Sequence, residues 1–368
     1  MCPYLRENIT ALEGYIPGEQ PRNGAAIKLN TNENPYPPSP RVRKALRKAT
    51  NRNLRLYPEP LSDSLRALAA SAYGVAPENV LAGNGSDELL SILVRCFVGP
   101  GDRVAYPVPT YTLYDTLIAI QQGEKVTLDY LPDFSLPEML YAQQSAVTFV
   151  CNPNSPSGTL VGRAELERLA RSVAGILVVD EAYIDFAEGE GVSALPLIRD
   201  FANLVVLRSF SKSFSLAGLR IGLAFAAEEI IAGMMKVKDS YNLNRLSLVA
   251  ACAALQDRAW MARNVARIQQ SRKQLTKALT KMGFQVYPSQ ANFVMARRAG
   301  QNLKWLYEAL RRRGILVRYF DALGLQDSFR ISVGTPREVS VLLREIRAIE
   351  KEAKDGADKS HGAGPHRP

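Results

Sequence analysis

NLVVLRSFSKSFSLAGLRIG, residues 203–222, opens as an unbroken apolar run and then turns polar, setting Lys212 among Ser209, Ser211 and Arg220. A continuous Val/Leu run of this length suits a strand covered on both faces, as strands of parallel sheets are. The polar residues then fall where such a strand ends. The same grammar recurs upstream. NVLAGN (79–84) precedes the helical pattern SDELLSILVRCFV, and DRVAYPV precedes TYTLYDTLIAI. SAVTFVCN and AELERLARSVA follow, then GILVVD (175–180) and a linker containing SALPLIRDF. Short apolar strands alternating with amphipathic helices predict an α/β fold, a large, doubly wound, mostly parallel sheet domain over residues 45–255.

From residue 256 the pattern changes to a long helix, DRAWMARNVARIQQSRKQLTKAL, and the short strands FQVYPS, ANFVMAR, GILVRYF and SFRISVG. We expect a smaller α+β C-terminal domain over 256–350, with residues 1–44 as an N-terminal arm contributing to it. Residues 351–368, without apolar periodicity, are expected to be a disordered tail.

Composition narrows the chemistry. With 368 residues, 46% of them hydrophobic, the chain can bury two cores. Its longest apolar run, LSLVAACAAL, is shorter than the ~18–20 residues of a membrane helix, and MCPYLRENIT lacks a signal-like apolar segment. A cytoplasmic protein with no membrane partner is expected. Cys2, Cys96, Cys151 and Cys252 form no C-x-x-C pair and read as reduced thiols, with no metal site. Both histidines, His361 and His366, lie in the tail. That removes histidine as a general base and with it serine triads, Cys–His proteases and H-E-x-x-H metalloenzymes. A net charge of +10 is compatible with nucleic-acid binding, but Arg311–Arg313 read as cations in the last turn of a helix ending at Gly314. No nucleic-acid-binding motif accompanies them, so no nucleic acid is expected as a partner.

In parallel sheets, ligands bind beyond the carboxyl ends of the strands. Asp180 ends GILVVD and leads to Tyr183; Ser209 ends NLVVLRS and leads to Lys212. GNGSDELL offers Gly83 and Gly85 in a tight turn, then a helix whose free N–H groups at Ser86 and Asp87 suit a phosphate. It is not a dinucleotide fingerprint, because Glu88 stands where the third glycine belongs. Ser209 and Ser211 add hydroxyls, and Arg220 a guanidinium able to bind two phosphate oxygens. A lysine beside a phosphate cup, facing an aspartate on a neighbouring strand end, suits pyridoxal 5′-phosphate. Lys212 would hold its aldehyde as a Schiff base, and Asp180 would pair with the protonated ring nitrogen.

The chain also resembles a known family. SFSKSFSLAGLRIG, VVDEAY, CNPNSPSGT, GNGSDE, LNTNENPY and GYIPGEQP are similar to the motifs of fold-type I pyridoxal-phosphate aminotransferases, specifically the histidinol-phosphate aminotransferase group. The likeness spans about residues 10 to 350. It implies that Lys212, Asp180 and Tyr183 are catalytic, with Tyr183 on the ring hydroxyl and Tyr111 stacked on the ring. Ser86, Asp87, Ser209, Ser211 and Arg220 would hold the phosphate. Tyr57, in RLYPEP, would reach it from the other subunit of a homodimer with shared active sites. Arg330, in FRISVGT, would bind the substrate anion, with Arg318 and Tyr15 as helpers. One position departs from the family pattern N-N-P-T-G: Ser155 stands where an asparagine touches the ring hydroxyl. Asn154 is either its replacement by a one-residue shift or an ordinary turn residue.

The resemblance implies transamination between histidinol phosphate (the amine of imidazole acetol phosphate) and 2-oxoglutarate/glutamate, in histidine biosynthesis. The freed Lys212 would move a proton from the substrate carbon to the cofactor. Two other enzymes would share the cofactor residues, an aromatic amino-acid aminotransferase and a decarboxylase similar to threonine-phosphate decarboxylase. A basic regulatory protein on an inactive aminotransferase fold would need a lost lysine or an added DNA-binding module. Lys212 is present, and the roughly 40 residues before the large domain are too few for such a module.

Overall fold

Thirteen strands are distributed over three sheets in the computed structural model, which describes residues 4–12, 14, 18–21, 26–322 and 324–361. In chain order they are β1 (Ile27–Lys28), β2 (Val80–Gly83), β3 (Arg103–Val108), β4 (Glu124–Asp129), β5 (Val147–Cys151), β6 (Ile176–Asp180) and β7 (Leu204–Ser209). Then follow β8 (Gly222–Phe225), β9 (Gln285–Val286), β10 (Phe293–Arg297), β11 (Ile315–Leu316), β12 (Arg318–Tyr319) and β13 (Ser328–Ser332).

Seven strands form the large sheet, in the order β2-β8-β7-β6-β5-β3-β4. Only β8 runs against the others, pairing antiparallel with both β2 and β7. Every residue of β2, β5, β7 and β8 is buried, which is what their uninterrupted apolar runs require. Helices cover both faces, giving separate apolar clusters around Phe149 and Val205 on one side and Val150 and Val206 on the other. β4 and β8 were not anticipated. β4 is an edge strand whose residues alternate between exposed and half-buried, so it carries no apolar run; β8 is four residues long.

The smaller sheet, β12-β13-β10-β9, is antiparallel throughout. The helices Arg258–Lys281 and Pro336–His361 belong to the same C-terminal part of the chain. The N-terminal arm joins it: β1 pairs in parallel with β11, and Asn32 is stapled to β13. The Asn32 N–H donates to Ser332 Oγ (2.8 Å), and that hydroxyl donates to Asn32 Oδ1 (3.0 Å). The helix Lys304–Arg312 does stop at Gly314, whose φ of +75° a side chain would strain. Its terminal arginines are paired, Arg311 with Glu19 at 2.7 Å and Arg313 with Glu345 and Glu352 at 2.9 and 2.6 Å.

One expectation is corrected here. The last helix continues past residue 350 to His361, where a disordered tail was expected from 351. REIRAIEKEAKD keeps good helix formers in register, and Arg313 anchors Glu352 from outside. Residues 362–368 lie outside the described part. Among the described residues, no helix is long and apolar enough to cross a membrane, and no cluster of His, Cys, Asp and Glu could hold a metal ion.

Candidate active site

The carboxyl ends of β5, β6 and β7 open into a cavity of about 200 Å³. All the predicted site residues line it except Asn154, Tyr57 and Tyr15, the last of which lies outside the described residues. Two glycines form the phosphate end. Gly85 has φ +85° and precedes the helix Ser86–Phe97, and a Cβ on it would come within 2.5 Å of Arg220 Nη2. Gly222, at the start of β8, abuts that helix's first turn, where a Cβ would lie 2.6 Å from both Gly85 C and Ser86 N. The bare backbone lets Arg220 and the helix N-terminus meet. Arg220 itself is left-handed (φ +50°), a costly conformation for a residue with a side chain. Its guanidinium donates to Asp87 Oδ2 (3.0 Å) and Ser211 Oγ (3.2 Å), while the Tyr111 hydroxyl donates to Asp87 Oδ1 (3.0 Å).

Asp180 is buried, and Lys212 beside it is half-buried. The Lys212 Nζ donates to the Thr31 carbonyl at 3.3 Å and lies 5.6 Å from the centre of the Tyr183 ring. Burial, reinforced by the charge of Arg330, lowers its pKa from 10.5 to about 8. Asp180, 3% exposed, accepts from the Ala182 N–H (3.1 Å) and the Tyr114 hydroxyl (3.3 Å). Burial outweighs those donors and raises its pKa to about 6. Burial likewise pushes Tyr183 up to about 12, and its hydroxyl accepts from Asn32 Nδ2 at 3.1 Å.

The opposite wall comes from the small sheet. Arg330 donates to Ser155 Oγ (2.8 Å) and the Asn30 carbonyl (3.1 Å), and Arg318 sits directly across from it in the β12–β13 pair. Asn154 does not line the cavity. Its amide donates to the Pro109 carbonyl (3.2 Å), on the loop after β3, and to Ser157 Oγ (2.9 Å), and accepts from Thr110 Oγ1 (2.9 Å). It is Ser155 that lines the cavity. Tyr57 stands away from this cavity, 77% exposed, its ring stacked on Tyr241 with centroids 4.4 Å apart.

Sequence reasoning missed the role of the arm. Asn30 and Asn32 are 3% and 1% exposed, and Asn34 Nδ2 donates to the backbone carbonyls of Lys212 (3.0 Å) and Ser213 (3.2 Å). The signal was there, three asparagines at alternate positions of LNTNENPY. Tyr114, stacked on Phe149 beneath Asp180, was read only as part of a helix.

A half-buried amine of lowered pKa, a buried carboxylate and a glycine-floored anion cradle in one cavity fit pyridoxal phosphate. They are the parts of a pyridoxal-phosphate enzyme of the aminotransferase class. Residues 25–346 match the family model described as "Aminotransferase class I and II". Histidinol-phosphate aminotransferase 1 of Trichormus variabilis is 44% identical over 351 residues, 95% of this chain and 99% of that protein. Histidinol-phosphate aminotransferase of Geotalea daltonii is 43% identical over 336 residues, 91% of this chain and 96% of that protein. The chain belongs to the histidinol-phosphate aminotransferase family of class I and II aminotransferases.

Among solved structures, histidinol-phosphate aminotransferase from Sinorhizobium meliloti in complex with pyridoxal-5′-phosphate matches with a TM-score of 0.86 at 25% identity. The match covers 94% of this chain and 98% of that one. L-threonine-O-3-phosphate decarboxylase from Porphyromonas gingivalis (TM-score 0.77, 23% identity, 88% and 99% covered) shares the fold.

Gly222→Ala tests the cradle. The added methyl must push the helix N-terminus away from Arg220, and overpacking of this kind costs about 1–3 kcal/mol. Cofactor affinity in an equilibrium titration of the apoprotein should fall by roughly five- to a hundredfold, and unchanged affinity would refute the geometry.

Proposed function

We propose that this enzyme transfers an amino group between histidinol phosphate and 2-oxoglutarate, with Lys212, Asp180 and Tyr183 as its catalytic residues. The observation that carries the substrate class is the pair Arg318 and Arg330. They are cross-strand partners, and both face the cavity from the side opposite the phosphate cradle. Like charges directly opposite on a sheet repel, and an anion bound between them relieves that repulsion. A dianionic phosphate suits two guanidiniums, and the distal carboxylate of glutamate can use the same site.

Bound pyridoxal phosphate supplies an electron sink for the negative charge left when the substrate carbon loses its proton. Lys212 Nζ, about half neutral at pH 8, is the base for that proton. Asp180 holds its negative charge against the ring nitrogen, with Tyr114 and the Ala182 N–H fixing the carboxylate's orientation. Tyr183, oriented by Asn32, offers its hydroxyl to the ring oxygen. Ser86, Asp87, Ser209, Ser211 and Arg220 bind the cofactor phosphate, and Tyr111, tethered to Asp87, covers the ring face.

The enzyme works as a dimer in this reading. Leu54, Leu56, Tyr57, Leu61 and Tyr241 are each more than 40% exposed, an apolar surface of the kind that marks interfaces. Tyr57 from this surface completes the partner's phosphate site. Sedimentation analysis should give a dimer, and Tyr57→Ala should weaken cofactor retention.

The deciding experiment is the visible absorption spectrum of the holoenzyme on adding histidinol phosphate without any oxo acid. Conversion of the bound cofactor to its amine form at low substrate concentration supports the reading. Conversion by aromatic amino acids alone, or carbon dioxide released from a phosphorylated amino acid, overturns the substrate. Arg330→Gln should raise KM for both substrates by roughly ten- to a hundredfold, the loss expected for a hydrogen bond to a charged group. A selective fall in kcat would place that arginine elsewhere in the reaction.

A further inference from the structure

None of four polar side chains behind the cavity lines it, yet each is a near neighbour of a site residue in sequence. Glu181 follows Asp180, Arg208 precedes Ser209, Ser213 follows Lys212, and Asp185 lies two residues after Tyr183. Arg208 and Ser209 are successive residues of β7 and so point to opposite faces of the sheet, and the other three lie in the segments that follow β6 and β7. The four side chains meet behind the cavity. Arg208 lies 2.9 Å from Glu181 Oε2 and 3.0 Å from Asp185 Oδ1, and donates to Ser193 Oγ at 2.9 Å. Glu181 also accepts from the Ser193 hydroxyl (2.8 Å) and the Ala194 N–H (2.6 Å). Ser213 Oγ donates to Asp185 Oδ2 at 2.5 Å.

Glu181 and Arg208 are 1% and 8% exposed. Burial pushes the Glu181 carboxyl above its ordinary range, against the pull of Arg208. A buried ion cluster is a poor source of net stability, since desolvating the charges offsets most of their attraction. It does specify geometry. A planar guanidinium gripping two carboxylates admits little rotation or sliding, and these two belong to the end of β6 and the turn after Tyr183. The Ser213 hydroxyl extends that grip to the loop carrying Lys212, whose carbonyls also accept from Asn34.

We propose that the Arg208–Glu181–Asp185 cluster, acting through the Ser213 hydroxyl, sets the position of Lys212 relative to Asp180, so that Ser213 and Asp185 are positioning residues for the reaction. The inference rests on the reading of Lys212 and Asp180 given above. Misplacing a reacting group by about 1 Å can cost on the order of a hundredfold in rate.

Ser213→Ala removes one hydroxyl outside the cavity and no charge. In the full-length holoenzyme, kcat should fall by roughly ten- to a hundredfold with KM nearly unchanged, and Ser213→Thr should restore it. A second readout needs no turnover: amine-selective labelling of the apoprotein, followed by peptide mapping of Lys212 against pH. In the unaltered protein the midpoint should lie near the lysine's lowered value of about 8. Ser213→Ala should move it upward, because a lysine released from its half-buried position regains water. Asp185→Asn keeps the shape, weakens the grip, and should move both readouts the same way, serving if the serine variant fails to fold. Loss of thermal stability with wild-type kcat and labelling midpoint makes the cluster merely structural and overturns the proposal. Lys212→Ala separates the two levels. If that variant turns over, the reading of the site fails; if it is dead while Ser213→Ala is normal, only the positioning role fails.

Discussion

Lys212→Ala should show no measurable transamination, a loss of at least about 10⁴-fold, the upper end of what one acid–base group supplies. Among the described residues no other lysine lines the cavity, so none of them stands ready to substitute. Near-normal turnover in a purified variant would sink the mechanism. The lowered pKa of Lys212 carries a pH dependence with a definite sign. At pH 7 an amine with a pKa of about 8 is roughly one-tenth neutral, against about 0.03% for an ordinary lysine. The rate at which added cofactor regains its protein-bound absorption should therefore rise with pH through about 8 and level off above it. A rate still climbing toward pH 10 would mean the lysine is not held as described. For a cation whose folded value lies below its unfolded value, protonation favours the unfolded chain. The apoprotein thus loses stability as pH falls from about 10.5 to about 8, by an amount on the order of 3 kcal/mol.

Asp180→Asn should leave a folded protein that binds the cofactor and turns over roughly 10²- to 10³-fold more slowly, the usual cost of removing a preorganised electrostatic partner. Asparagine fills the same space, its oxygen can still accept from the Ala182 N–H and its amide nitrogen can donate to the Tyr114 oxygen, so most of the loss reflects the charge. The buried carboxyl's raised value, about 6, shows what the site lacks without a cation beside it. A carboxyl whose folded value lies above its unfolded value costs stability as pH rises from about 3.8 to about 6. Binding a protonated ring nitrogen lowers that value and removes the cost. Holoenzyme and apoprotein should therefore differ most in thermal stability above pH 6, and the difference should shrink in Asp180→Asn. A variant with wild-type kcat would exclude the electrostatic role.

Much of this was legible in the chain. Strands buried on both faces announce themselves by unbroken apolar runs, so β5, β6 and β7 and the residues at their ends could be read directly, and with them Asp180, Ser209 and Lys212. Edge strand β4 could not, because half its surface faces water and its composition resembles a loop's. Residues that converge on the site from distant segments left weaker traces. Asn32 meets Tyr183 across 151 positions and Arg330 meets Ser155 across 175, contacts that no local periodicity encodes. Asn154 stayed open between two readings in the sequence for a related reason. Position in a motif says which residue is present, whereas only the loop's hydrogen bonds show that its amide is already engaged.

The staple between Asn32 and Ser332 bears on the order of events during synthesis. The two partners are 300 residues apart, and Arg330 reaches back the same distance to Asn30. The large sheet is complete once residue 225 has been made, and domains generally fold as units as the chain emerges. The arm that supports Lys212 through Thr31 and Asn34 lacks its β11 and β13 partners until the end of the chain leaves the ribosome, and closing a loop of that length must precede any reward from those contacts. The sheet and the cofactor-side residues between 86 and 220 can therefore be in place early, whereas the substrate-side arginines, Arg318 and Arg330, arrive only with the end of the chain, and a nascent polypeptide stalled before residue 318 lacks both walls of the anion site.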